Sequence, residues 1–128
     1  MLQPSPLGGD VVLKNVIFAY PTRINEPVMR GLSMSVQEGK CVALVGTSGC
    51  GKSTVAALLQ RLYKPTSGTI TLGGIKLRRT DVHHLREHVS VVSQQPNLFD
   101  GSVRENIMYG AVSISDVDVE RAACSQCT

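Results

Sequence analysis

The stretch Val42–Pro65, VALVGTSGCGKSTVAALLQRLYKP, joins an apolar run of strand formers to a glycine-rich turn with one lysine, and then to a run of helix formers. Within it Gly46-x-x-x-x-Gly51-Lys52-Ser53 matches the G-x-x-x-x-G-K-[ST] pattern known as Walker A, and the strand-turn-helix context is the one the pattern requires. Each residue type has a chemical reason. Gly46, Gly49 and Gly51 let the backbone take conformations closed to other residues and approach an anion, so that the N–H groups of Thr47, Ser48, Cys50 and their neighbours can form a concave nest around phosphate oxygens. A helix opening at Lys52 adds its positive end. Lys52 supplies a mobile charge for the β- and γ-phosphates of a nucleotide, Ser53 a hydroxyl ligand for Mg²⁺, and Thr54 a further donor near the α-phosphate.

Outward from this stretch the element types alternate. Val11–Tyr20 has strand composition and ends at the Pro-rich turn PTRINEP; Val28–Val36 reads as a second strand before the turn signal Glu38-Gly39. The run CVALVG (residues 41–46) is apolar throughout, as expected of a central strand buried on both faces. From Lys52, KSTVAALLQRLY contains no Gly or Pro and spaces Val55, Leu58, Leu59 and Leu62 as one helical face that stops before Pro65. GTITLGGIKL reads as a hairpin turning at Gly73-Gly74, DVHHLREH as a helix capped by Thr80 or Asp81, and VSVV (residues 89–92) as another strand. A loop begins at Gln94, and a further helix opens near Ser115. The expected fold class is α/β: a P-loop core with an antiparallel β subdomain at its front. Residues 1–10, rich in Pro and Gly, read as a lead-in, and 11–128 as the domain.

Composition is that of a globular protein: 128 residues, 42% hydrophobic, 18% charged and 4% aromatic with no Trp, so Leu, Val and Ile must fill the interior. The net charge of +3 is too small to imply nucleic acid as a partner, and Lys76, Arg78 and Arg79 read as a solvated face. The apolar runs are too short to span a membrane, and the first ten residues lack the features of a secretory signal, so the chain by itself is expected to be soluble. Four cysteines form no disulfide framework; Cys124 and Cys127 make a C-x-x-C pair with no further ligands at zinc spacing. His84 and His88 share a helical face, with no carboxylate or cysteine placed to complete a metal site.

Walker A alone is shared by many ATPases, GTPases and kinases. The flanks narrow the choice. VIFAYPTR (16–23) upstream and VSVVSQQPNLFDGSVRENIMYG (89–110) downstream, with VMRGLSMSV, RLYKPTSGTITLGG and HLREHVSVVSQ between, resemble the nucleotide-binding domain of ATP-binding-cassette (ABC) transporters of the B-type exporter class over about residues 10–123. The resemblance implies that Tyr20 stacks on adenine, and that Gln94, the Q-loop glutamine, reaches Mg²⁺ and the attacking water. It further implies two partners, a transmembrane domain of the same transporter and a second nucleotide-binding domain, with the domain on the cytosolic or matrix side of a membrane. Departures are Gln95, where the family has an acidic residue, and Gly73, where it has Asp. The family's LSGGQ signature, Walker B carboxylates and switch histidine have no counterpart in these 128 residues, so the resemblance implies that 11–128 is the N-terminal part of such a domain, ending before the signature and Walker B. The expected activity is therefore ATP binding, with hydrolysis coupled to transport only in a complete protein. The alternatives are a non-catalytic nucleotide-binding fragment and a P-loop ATPase outside transport.

Overall fold

A computed structural model describes residues 8–111 and 113–125. The chain divides into two compact units, the first ending at Val91 and the second beginning at Val92. The first unit holds strands β1 (Val11–Phe18) and β2 (Met29–Val36), helix α1 (Lys52–Leu59), strands β3 (Ser67–Leu72) and β4 (Ile75–Lys76), and helix α2 (Val82–His88). The second holds helices α3 (Val103–Met108) and α4 (Asp116–Ser125). Most of the expected lead-in, residues 1–7, lies outside the described residues, as does Cys127. Cys41, Cys50 and Cys124 are free, exposed thiols.

The expected front subdomain is a four-stranded antiparallel sheet in the order β2-β1-β3-β4. Its centre, β1, is phased by a bulge. Leu13, Val16 and Phe18 are all buried although the first pair is three residues apart. Strict alternation would bury only one parity, and an irregularity between residues 13 and 17 in both ladders supplies the extra residue. Asn15, at φ 48, takes that turn, and its backbone N–H donates to Ser33 Oγ at 2.9 Å. The hairpin turns as expected at Gly73 and Gly74, both at positive φ, the conformation a two-residue hairpin loop demands. Val16, Phe18, Met29 and Ile70 from the sheet meet Val55 and Leu58 of α1 and Leu85 of α2 in one core. Asp81 is the cap of α2, accepting from the His83 N–H at 2.9 Å.

Four expectations are corrected. β1 ends at Phe18, not Tyr20. Helix α1 ends at Leu59, because Arg61 adopts φ 55 and a Schellman closure forms: the Leu62 N–H donates to the Ala57 carbonyl and the Arg61 N–H to the Leu58 carbonyl. Leu62 is consequently 56% exposed and leaves the helical face assigned to it. Arg61 fills a position that glycine usually takes, which is why composition did not mark the stop; its guanidinium donates to the Thr80 carbonyl. The runs 41–46 and 89–92 form no strand, and Val45 and Val92 are 94% and 97% exposed. A strand exists through its ladder partners, and no described segment pairs with these runs. Helix α3 was not read from the sequence, although its signal is present. Ser102 and Glu105 form a reciprocal capping box, with Ser102 Oγ accepting from the Glu105 N–H and the Glu105 carboxylate accepting from the Ser102 N–H.

Candidate nucleotide site

Loop 46–51 descends from an unpaired apolar run into the N-terminus of α1. Gly49 at φ 82 and Gly51 at φ 99 lie in the left-handed region, as their composition required. Gly51 is the N-cap of α1 and provides no side chain to close it. The N–H groups of Lys52, Ser53 and Thr54 therefore lack the side-chain capping oxygen that most helix starts supply, an arrangement that can bind an anion. A side chain added at Gly49 would meet no atom within 4 Å, so the loop has open space on that side.

Lys52 curls back over the loop. Its Nζ donates to the Gly46 and Thr47 carbonyls at 2.6 and 2.7 Å and lies 3.5 Å from Cys50 Sγ. Held this way, the ammonium stands over the loop, where its charge adds to that of the backbone donors. Ser53, on the first turn of α1, is exposed, whereas Thr54 is only 3% exposed.

Sequence reasoning did not anticipate the setting of Tyr20. Its hydroxyl shares a 2.9 Å hydrogen bond with Thr54 Oγ1, and its ring packs edge-on against Phe18 and Tyr63, with centroids 5.0 and 5.2 Å away. The aromatic residue after β1 is thereby tied to the first turn of α1. The signal for this lay in two residues 34 positions apart, which no local pattern connects. Gln94 belongs to the second unit, in an exposed bend where the Ser93 hydroxyl donates to the Gln95 carbonyl at 2.7 Å.

Two further features of the first unit bear on the sequence reading. Lys76 and Arg78, read as a solvated face, line a cavity of about 490 Å³ together with Arg61 and Lys64. On α2, Glu87 supplies the carboxylate that the histidine pair was thought to lack: one ligand atom from each of His84, Glu87 and His88 lies within 4.8 Å of the others.

The family model of the ABC transporter matches residues 29–126. Among curated proteins, the chain is 48% identical to antigen peptide transporter 2 of Rattus norvegicus over 126 residues, 98% of this chain and 18% of that protein. It is 48% identical to multidrug resistance protein pgp-1 of Caenorhabditis elegans, covering 91% of this chain and 9% of that protein. To the human ATP-binding cassette sub-family B member 5 it is 45% identical, over 94% of this chain and 10% of that protein. The chain thus spans less than a fifth of the length of these relatives. No helix among the described residues is long and apolar enough to cross a membrane. A glycine loop feeding an uncapped helix, a front antiparallel sheet and a family match over most of the length make one assignment: the chain belongs to the ABC transporter family, as a partial P-loop cassette related to the B-type exporters.

Proposed function

We propose that the chain binds MgATP and that, in a complete protein, this binding serves ATP hydrolysis coupled to transmembrane transport. The observation that carries the reading is the uncapped N-terminus of α1 behind Gly49 and Gly51, with the Lys52 ammonium held over the loop. Backbone N–H groups of residues 46–54 hold the phosphates, and Lys52 exchanges its loop carbonyls for β- and γ-phosphate oxygens. Ser53 is the protein's hydroxyl ligand to Mg²⁺. Thr54 serves through its backbone N–H, since its hydroxyl is engaged by Tyr20. Tyr20 offers its ring to adenine. Gln94 receives its Mg²⁺ and water role from the family position alone. Mg²⁺, held in part by Ser53, would supply neutralisation of the phosphate charge.

The partners are a transmembrane domain of the same transporter and a second nucleotide-binding domain, and the domain lies on the cytosolic or matrix face of the membrane. In that setting the runs 41–46 and 89–92 acquire the neighbours that their apolar composition calls for. The test is Lys52→Ala: half-exposed and outside the core, Lys52 can be removed without unfolding the domain. Calorimetric titration is expected to show loss of MgATP binding with an unchanged circular dichroism spectrum; undiminished affinity would overturn the assignment.

A further inference from the structure

We propose that His84, Glu87 and His88 form a binding site for a divalent transition-metal ion of the zinc or copper class on the exposed face of α2. Three observations support it. The residues stand at i, i+3 and i+4 of one helix, so their side chains emerge on one face. One ligand atom from each lies within 4.8 Å of the other two, and His84 Nδ1 is 3.8 Å from Glu87 Oε2. A tetrahedral centre with bonds of about 2.0–2.1 Å needs its ligand atoms about 3.3 Å apart, a closure that rotation of the exposed Glu87 and His88 side chains toward the half-buried His84 supplies.

The third observation is tautomeric. His88 Nδ1 is 2.8 Å from the His84 carbonyl, which can only accept; in the neutral ring this nitrogen is the donor, and Nε2 is the one that offers a lone pair. Donation of the second ring nitrogen to a backbone carbonyl is how metal-binding histidines are oriented.

The donor set selects the ion. Two imidazoles and one carboxylate suit zinc, copper or nickel, whereas Mg²⁺ and Ca²⁺ call for oxygen throughout. Three protein ligands leave a position to water. The platform is firm: Leu85, on the flank of the same helix, is fully buried, and Asp81 caps the helix start. A seven-residue helix has little stability of its own, and an ion bridging residues 84 and 88 would fasten its last turn. The site is independent of the nucleotide loop, so its test is separate from that of the proposed ATP binding.

The experiment is a zinc titration of the tag-free 128-residue chain, without nucleotide, followed by calorimetry and by the histidine ring resonances. One equivalent is expected to bind, shifting His84 and His88 resonances. His84→Ala and His88→Ala are each expected to weaken binding at least about tenfold, no less than loss of an outer-shell partner does. Glu87→Gln should weaken it less, while His83→Ala, Cys124→Ser and Lys52→Ala leave it within about twofold. Circular dichroism establishes that each variant keeps its helix. Absence of zinc binding by the parent chain, binding retained by the His84→Ala/His88→Ala double variant, or binding lost in Cys124→Ser would each overturn the proposal.

Discussion

Replacing Tyr20 by Phe removes one oxygen and keeps the ring, which isolates the link between the residue after β1 and helix α1. The lost bond is the 2.9 Å contact to Thr54 Oγ1, and Thr54 is only 3% exposed, so water cannot freely replace the partner. A typical intramolecular hydrogen bond contributes about 0.5–1.5 kcal/mol net, and stranding a buried polar atom costs about 1–3 kcal/mol. Thr54 lies in the first turn of a helix, where its hydroxyl has few other acceptors, and Tyr20 is half-buried; the expected loss is about 1–2 kcal/mol. Thr54→Val strands the tyrosine hydroxyl instead, but at a wetter position, and should cost less. The double variant removes both polar atoms and should recover most of the loss. Urea unfolding followed by circular dichroism reads each step. With a slope of about 2 kcal/mol per molar, the Tyr20→Phe midpoint should fall by about 0.5–1 M. Effects of the two substitutions that add within about 0.3 kcal/mol would mean that the bond contributes nothing, and would refute the reasoning. MgATP affinity gives a second readout. Tyr20→Phe should leave it nearly unchanged and Tyr20→Ala should lower it by about 1–2 kcal/mol, whereas equal loss in both would assign the role to the hydroxyl.

Leu58→Ala empties the centre of the core, where Leu58 is 1% exposed, and is expected to cost about 2–5 kcal/mol by chemical denaturation. Ser102→Ala breaks the α3 capping box. Hydrogen bonds from the Ser102 backbone and hydroxyl hold the Glu105 carboxyl below its ordinary value, so Glu105 supports α3 above that ordinary value and the support is lost as pH falls through the lowered one. In the variant the Glu105 carboxyl resonance should titrate at higher pH, and an unchanged titration would contradict the cap. The exposed runs at Val42, Leu44, Val45, Val91 and Val92 predict that the isolated 128-residue chain self-associates, visible as concentration-dependent sedimentation; a single monomeric species at all concentrations would contradict this. Finally, the chain is expected to bind MgATP without releasing phosphate above a Lys52→Ala control, because the residues of loop 46–54 grip the ground state and binding alone raises occupancy, not rate. Turnover above that control would require a base within the 128 residues, with Asp100 and Glu105 as first candidates.

The sequence by itself determined the glycine loop, the helix behind it, the Gly73-Gly74 hairpin, the cap of α2 as one of two residues, and the family. These are local matters: a positive φ, a capping oxygen or a phosphate-binding nest is specified within a few residues. Tertiary structure decided what depends on partners distant in the chain. The bulge at Asn15 is tied to Ser33 and resets which side of β1 faces the core; the end of α1 at Leu59 relies on Arg61 reaching Thr80; Tyr20 is joined to Thr54 across 34 positions. The apolar runs at 41–46 and 89–92 have the composition of buried strands, yet they remain unpaired, because composition records what a segment favours whereas a strand also needs a neighbour to share its hydrogen bonds.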